Sequence, residues 1–125
     1  MTQTGIRLTQ TYIVQEKDTA AFLGSGNLPV YATPALAALM ENTAMKVVAH
    51  QLENGSDTVG ISIHIEHIKA SKVGEQITCT ALLTQIDGRK LTFDIEAKNA
   101  KGEIIGTAKH NRFIISPEKF MNKLS

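Results

Sequence analysis

Over residues 58 to 116 the apolar side chains of this chain return at nearly every second position, and one stretch of helical period precedes that run. Successive side chains on a strand point to opposite faces, so a period of two sustained this long reads as several half-buried strands laid end to end. Val59, Ile61, Ile63 and Ile65 share one face of the first of these strands. Ile77, Cys79, Ala81 and Leu83 share one face of the next, and Leu91, Phe93, Ile95 and Ala97 one face of a third. Asp87-Gly88 is a type I′ hairpin signal between these last two, and the turn from Asn99 to Gly102 leads into a final strand over about 103 to 116. Apolar residues of both parities occur in that final strand, Ile104, Ala108 and Ile114 against Ile105, Phe113 and Ile115, as expected where both faces are covered.

The helical stretch opens at Thr33-Pro34, because Thr suits an N-cap and Pro the first helical position, where its missing N–H costs nothing. Leu36, Leu39, Met40, Thr43, Ala44 and Val47 follow an i, i+3, i+4 pattern, and Asn54-Gly55 is a favourable place to stop. Upstream, Ile6, Leu8, Tyr12 and Val14 alternate with polar neighbours as in a strand, with Gln10 as the exception. Residues 15 to 32 hold no sustained period and carry Gly24-Ser25-Gly26 and Leu28-Pro29, which predicts a loop with a short helical turn after Asp18. Ser116-Pro117-Glu118 starts a short amphipathic tail with Phe120, Met121 and Leu124. The whole is an α+β chain forming a single domain over 1–125, with one long helix packed against a curved antiparallel sheet of about five strands. That is the hot-dog arrangement. Its outer strands lack partners, and a second copy can cover such an edge, so a two-fold homodimer with a continuous sheet is expected.

Composition narrows the functional classes. With 13 basic and 12 acidic side chains and no dense Lys/Arg block, no nucleic-acid partner is expected. Cys79 is the single cysteine, and the four histidines are too scattered to match zinc-ligand spacing, so neither a disulfide nor a metal is expected. No run approaches the ~20 apolar residues that cross a bilayer. The start, Met1-Thr2-Gln3-Thr4-Gly5, has no basic region leading into an apolar one. The expectation is an unprocessed cytoplasmic protein without a membrane partner.

The candidate chemistry clusters around the helix start and the strand that follows the helix. Thr33 sets a hydroxyl at the cap and Glu41 a carboxylate two turns further in. At about 100° per residue Glu41 lies beside Pro34, Ala37, Ala38 and Val48 and roughly opposite the Leu36/Leu39/Thr43 stripe. Those small apolar neighbours differ from a normal solvated face, and a carboxylate desolvated among them is suited to act as a general base. A capping Thr and a surface Glu remain the plainer alternative. On the following strand, His67 continues the odd-numbered apolar row, whereas His64 falls on the other face with Ser62 and Glu66, which makes His67 the better candidate. Gly60 either admits a substrate close to the backbone or simply eases strand twist. His110 and Arg112 share a face of the last strand and could meet a phosphate, with solvated charge or an ion pair the commoner outcome. Cys79 sits in an apolar row and reads as an inert buried thiol, and Gly24-Ser25-Gly26 as a flexible loop.

Taken together, the segment from Val30 to Glu41, the pair Val59-Gly60 and the stretch from Glu66 through His67 to Gly74 resemble the fluoroacetyl-CoA thioesterase-like branch of hot-dog thioesterases. The likeness spans nearly the whole chain and includes the closing Gly106-Thr107 and Arg112-Phe113. It implies an acyl-CoA substrate, with CoA as part of that substrate and no separate cofactor, and catalytic roles for Thr33, Glu41 and His67 beside a substrate-lining Gly60. Where the family usually continues His-Leu-Ala-Ala-Thr-Pro-x-Gly, this chain reads His67-Ile68-Lys69-Ala70-Ser71-Lys72-Val73-Gly74. The reading is thioester hydrolysis with Glu41 as general base or nucleophile, and the rival is a hot-dog domain that binds acyl-CoA or another apolar ligand without turnover.

Overall fold

In the computed structural model, which describes residues 3–125, the elements are β1 (Arg7–Ile13), a 3-10 turn (Glu16–Asp18), α1 (Ala20–Leu23), α2 (Thr33–Val48), β2 (Asp57–His67), β3 (Gln76–Asp87), β4 (Lys90–Lys98), β5 (Ile104–Ile115) and α3 (Pro117–Asn122). Met1 and Thr2, part of the N-terminal reading, lie outside the described residues. The five strands form one antiparallel sheet in the order β1-β3-β4-β5-β2, open at both sides, with α2 packed across one face. β2 therefore does not pair with β3, its successor in the chain. It crosses over to β5 and becomes an edge strand.

The core lies between α2 and the sheet. Leu36, Met40, Ala44 and Val48 of the helix are fully buried, as are Ile77, Cys79, Ala81 and Leu83 of β3 and Leu91, Phe93 and Ala97 of β4. Each strand row matches the alternation in the sequence, because only one face of the sheet is covered by the helix. Gln10, the polar exception in β1, points into the same side: its amide donates to Thr43 Oγ1 at 2.6 Å and Asn42 Oδ1 at 3.0 Å, and its carbonyl accepts from Lys46 Nζ at 3.2 Å. It ties the edge of the sheet to the flank of α2.

Several local expectations are corrected. α2 stops at Val48 rather than near Gly55, because Ala49, His50 and Gln51 are exposed and offer no further apolar face to bury. Thr33 is the first helical residue and not the cap: Ala32 occupies the N-cap without a side-chain bond. At the β3–β4 turn, Asp87 pairs with Lys90, so Gly88-Arg89 is the central pair. Only Gly88 has positive φ (61°) there, which is the requirement of a type II′ turn, not I′. The mixed parity of β5 has another cause than cover on both faces. The register shifts between Ala97 and Lys98, leaving Ile105 as an extra, fully buried residue, while Ile104 is exposed. The turn from Asn99 to Gly102 is as expected, with Asn99 Oδ1 accepting from the backbone N–H of Lys101 and of Glu103 at 3.0 Å each.

Gly106 of β5 fixes how closely α2 approaches. A Cβ there would stand 2.9 Å from Leu36 Cδ2 and 3.2 Å from the Glu66 carbonyl oxygen. Gly106→Ala is expected to lower the stability from urea unfolding by about 1–3 kcal/mol, the usual cost of overpacking a core, and an unchanged unfolding midpoint would contradict this account of the contact.

Candidate active site

The edge strand β2 carries one extra residue. Gly60 pairs with Arg112 and Ser62 with Asn111, so Ile61 bulges out of register and is half exposed. A bulge inverts the face on which later residues fall. Ile63, Ile65 and His67 keep the inward parity read from the sequence, but upstream of the bulge the inward residues are Thr58 and Gly60, with Val59 on the other face. Gly60 and His67 thus look toward the same helix although their numbers differ in parity. His64 lies outward, 79% exposed and 3.4 Å from Glu66.

At one end of α2, Thr33 Oγ1 is hydrogen-bonded to His67 Nδ1 at 2.8 Å. Tyr31, itself buried, sets its ring edge-on to the imidazole with centroids 6.4 Å apart. His67 Nε2 is buried with no hydrogen-bond partner, which leaves one ring nitrogen for a ligand. Desolvation lowers the His67 pKa below the ordinary 6.5, the Lys69 backbone partly opposing it. The imidazole is therefore neutral near pH 7.

The second cluster surrounds Glu41, eight residues or roughly 12 Å further along the helix. A Cβ placed on Gly60 would stand 2.6 Å from Glu41 Oε2, 3.1 Å from His110 Cε1 and 3.4 Å from Arg112 Nη1, so these three side chains converge over that glycine. Arg112 is 6% exposed and His110 fully buried, so neither is a solvated charge. Arg112 Nε donates to Thr58 Oγ1 at 2.8 Å and Nη2 to the Thr58 carbonyl at 3.0 Å. His110 Nδ1 donates to the Ser62 carbonyl at 2.8 Å, which leaves Nε2 to accept from Arg112 Nη1 at 3.1 Å. Only the neutral ring can make both bonds. Burial, opposed by the Ser62 carbonyl and aided by the Arg112 charge, lowers the His110 pKa. Burial also lowers that of Arg112, with the Glu41 carboxylate acting to keep it charged.

The candidate residues accordingly fall into two groups on one inner face. Thr33 meets His67, and Glu41 meets Gly60, His110 and Arg112. Among the described residues Glu41 makes no hydrogen bond to Thr33 or His67. Thr58, Ser62 and Tyr31 support these groups and were not singled out from sequence, since a bulge cannot be seen in the alternation and a Thr or Tyr in a strand is unremarked. Cys79 is buried with its thiol pushed up to about 11, mainly by desolvation, as an inert thiol should be. No group of three His, Cys, Asp or Glu suited to a metal occurs among the described residues.

The family model described as FlK, fluoroacetyl-CoA-specific thioesterase, matches residues 14–118. The chain belongs to the fluoroacetyl-CoA-specific thioesterase family. As such it is an acyl-CoA thioester hydrolase. The fluoroacetyl-CoA thioesterase of Streptantibioticus cattleyicolor is 35% identical over 95 residues, covering 76% of this chain and 68% of that relative. A crystal structure of the fluoroacetyl-CoA thioesterase FlK is similar with a TM-score of 0.92 at 30% identity, covering 99% of this chain and 96% of that one. A point mutant of FlK in complex with fluoroacetate and CoA gives 0.89 at 30%, covering 95% and 99%. A thioesterase superfamily member of Thermus thermophilus, 24% identical with a TM-score of 0.90 over 98% and 90%, shares the hot-dog fold. No helix among the described residues is long and apolar enough to cross a membrane.

Two expectations follow. For His67, which is partly buried, and His110, which is fully buried, the folded-state pKa lies below the unfolded 6.5, so below that pH the unfolded chain takes up protons first. Their contribution is therefore fully present above about 6.5 and is lost as pH falls through the lower folded values. The urea midpoint should decline between pH 7.5 and 5.5, and a flat profile across that window would count against two desolvated neutral rings. Gly60→Ala should displace the Glu41 carboxylate, whose Oε2 would lie 2.6 Å from the new Cβ, and reduce turnover in a thiol-release assay about 10- to 100-fold, the scale of a misplacement of order 1 Å.

Proposed function

We propose that the chain hydrolyses an acyl-CoA to free acid and CoA in a cleft shared by two copies, with Glu41 as general base or nucleophile. The observation that carries this is the grouping of Glu41 over Gly60 at the middle of the helix and of Thr33 with His67 at its N-terminal end. β2 is an unpaired edge strand with Ile61 exposed, open to a second copy. Antiparallel pairing of β2 with itself near its midpoint brings the His67 end of one copy to the Gly60 end of the other. Each of the two resulting sites then combines Glu41 and Gly60 of one copy with Thr33 and His67 of its partner, so the separation within one chain becomes proximity across the dimer.

In such a site Gly60 leaves room for the thioester against the backbone, beside His110 and Arg112 as substrate-lining groups. Glu41 takes a proton from water as the water oxygen attacks the carbonyl, or its own oxygen attacks to form an anhydride that water then cleaves. In both routes the C–S bond breaks and the CoA thiolate leaves. The unpaired Nε2 of His67 is placed to donate a hydrogen bond to developing negative charge, with Thr33 fixing the ring through Nδ1. The Glu41 carboxylate in turn helps the buried Arg112 keep its positive charge. Fluoroacetyl-CoA, named for the relatives, belongs in the substrate panel along with other short acyl-CoAs.

Glu41→Ala is expected to lower kcat about 10²- to 10⁴-fold in a thiol-release assay, the range for loss of an acid–base or oxyanion element. Wild-type rates in that variant would rule out the assignment, and nucleotide or acyl-CoA binding without any thiol release would favour the non-catalytic reading. Light scattering should give a dimer. Refolding a mixture of Glu41→Ala and His67→Ala chains should restore about a quarter of wild-type activity, because half the dimers are mixed and each of those holds one intact site. No recovery would mean that each site is built within one chain.

A further inference from the structure

Arg112 lies near two carboxylates and pairs with neither. Glu41 and Asp57 both act to keep its guanidinium charged. Glu41 Oε2 and Arg112 Nη1 border the same point above Gly60, 2.6 and 3.4 Å from where a Cβ would stand. Yet the ion pairs among the described residues join His64 to Glu66, Lys69 to Glu103, Lys98 to Glu96 and Lys109 to Asp94, and none includes Arg112. A guanidinium this close to a carboxylate commonly closes on it through two parallel N–H···O bonds.

Thr58 occupies the groups that would make that closure. Its Oγ1 accepts from Arg112 Nε at 2.8 Å and its carbonyl from Nη2 at 3.0 Å, so one residue fills the side-on fork that a carboxylate would take. His110 Nε2 accepts a third N–H, from Nη1, at 3.1 Å. Thr58 is itself held in place: it is 6% exposed, pairs with Ile114 in the β2–β5 ladder, and donates its backbone N–H to Asp57 Oδ1 at 2.7 Å. The Glu41 carboxylate, by contrast, accepts no side-chain hydrogen bond among the described residues. A carboxylate caught in an arginine fork has its oxygen lone pairs engaged, which makes it a weaker base and nucleophile.

We propose that Thr58 is a positioning residue for the hydrolysis: by occupying the fork of Arg112 it keeps the guanidinium from closing on Glu41 and leaves that carboxylate free to react. This rests on the thioesterase reading and adds the residue that sets the spacing of the two charged groups. Thr58 acts through Arg112 and not on the thioester itself. Its hydroxyl is the part a substitution can remove, since every residue supplies a carbonyl.

The test uses Thr58→Val in the full-length protein, which keeps the shape of the side chain and removes the acceptor for Nε. Its kcat on a short acyl-CoA should fall about tenfold or more with KM little changed, the scale of one hydrogen bond to a charged group. Thr58→Ser, which retains the hydroxyl, should recover most of the rate. In an Arg112→Gln background the same Thr58→Val change should cost no further activity, because the group it restrains is gone. A crystal structure of Thr58→Val should show the guanidinium ion-paired with Glu41. A wild-type kcat in Thr58→Val, an equal loss with and without Arg112, or a guanidinium that stays off Glu41 in the crystal would each overturn the proposal. Should Thr58→Val not give folded protein, Thr58→Ala, which leaves space for a water on Nε, takes its place with the same outcomes expected. If the wild type hydrolyses no acyl-CoA, the catalytic reading fails by itself, and the crystal structure of the variant still decides whether Thr58 holds Arg112 away from Glu41.

Discussion

One extra residue in an edge strand governs the chemistry of this surface. Without the bulge at Ile61, strand alternation would put Gly60 and His67 on opposite faces of β2. With it, both face α2, and the carbonyl of Ser62, just past the bulge, accepts the Nδ1–H of His110. That bond sets the His110 tautomer, the tautomer makes Nε2 an acceptor, and the acceptor holds Arg112 beside Glu41. The local irregularity is transmitted through two buried side chains to the carboxylate on the helix.

This places a guanidinium and an imidazole in a layer that otherwise buries aliphatic and aromatic side chains. Such groups are tolerated in a core only when their hydrogen-bonding capacity is met. Arg112 spends three of its N–H directions on Thr58 and His110, and His110 uses both ring nitrogens. The contrast lies at the other end of the helix. Tyr31 Oη, Ser71 Oγ and His67 Nε2 are buried there without partners. Unmet polar groups beside the Thr33–His67 bond suit a place where a ligand completes the hydrogen bonding.

The geometry also explains why a small domain can host a two-part site. Glu41 and Thr33 are two turns, roughly 12 Å, apart along one helix. In the dimer proposed above, an antiparallel partner would reverse the order of the two groups, and the separation would become a matching condition between copies.

The element types were legible in the sequence because a helix packed on one face of a sheet enforces periods of 3.6 and two wherever burial is one-sided. Thr33, Glu41 and His67 could be chosen from that pattern together with family resemblance, and the structure puts His67 rather than His64 on the inner face. The local shifts were not legible. The end of α2, the Gly88-Arg89 turn and the extra residues at Ile61 and Ile105 each depend on which face a neighbouring element covers. For the same reason the sequence left His110 and Arg112 open between a phosphate contact, solvated charge and an ion pair, and the crossover of β2 to β5 buries them beneath the helix. The sequence by itself determined the elements and the residue types available for chemistry, since both follow from local period and side-chain identity. Only the tertiary structure decided which of those residues meet, because strand order and register are set by contacts between segments far apart in the chain.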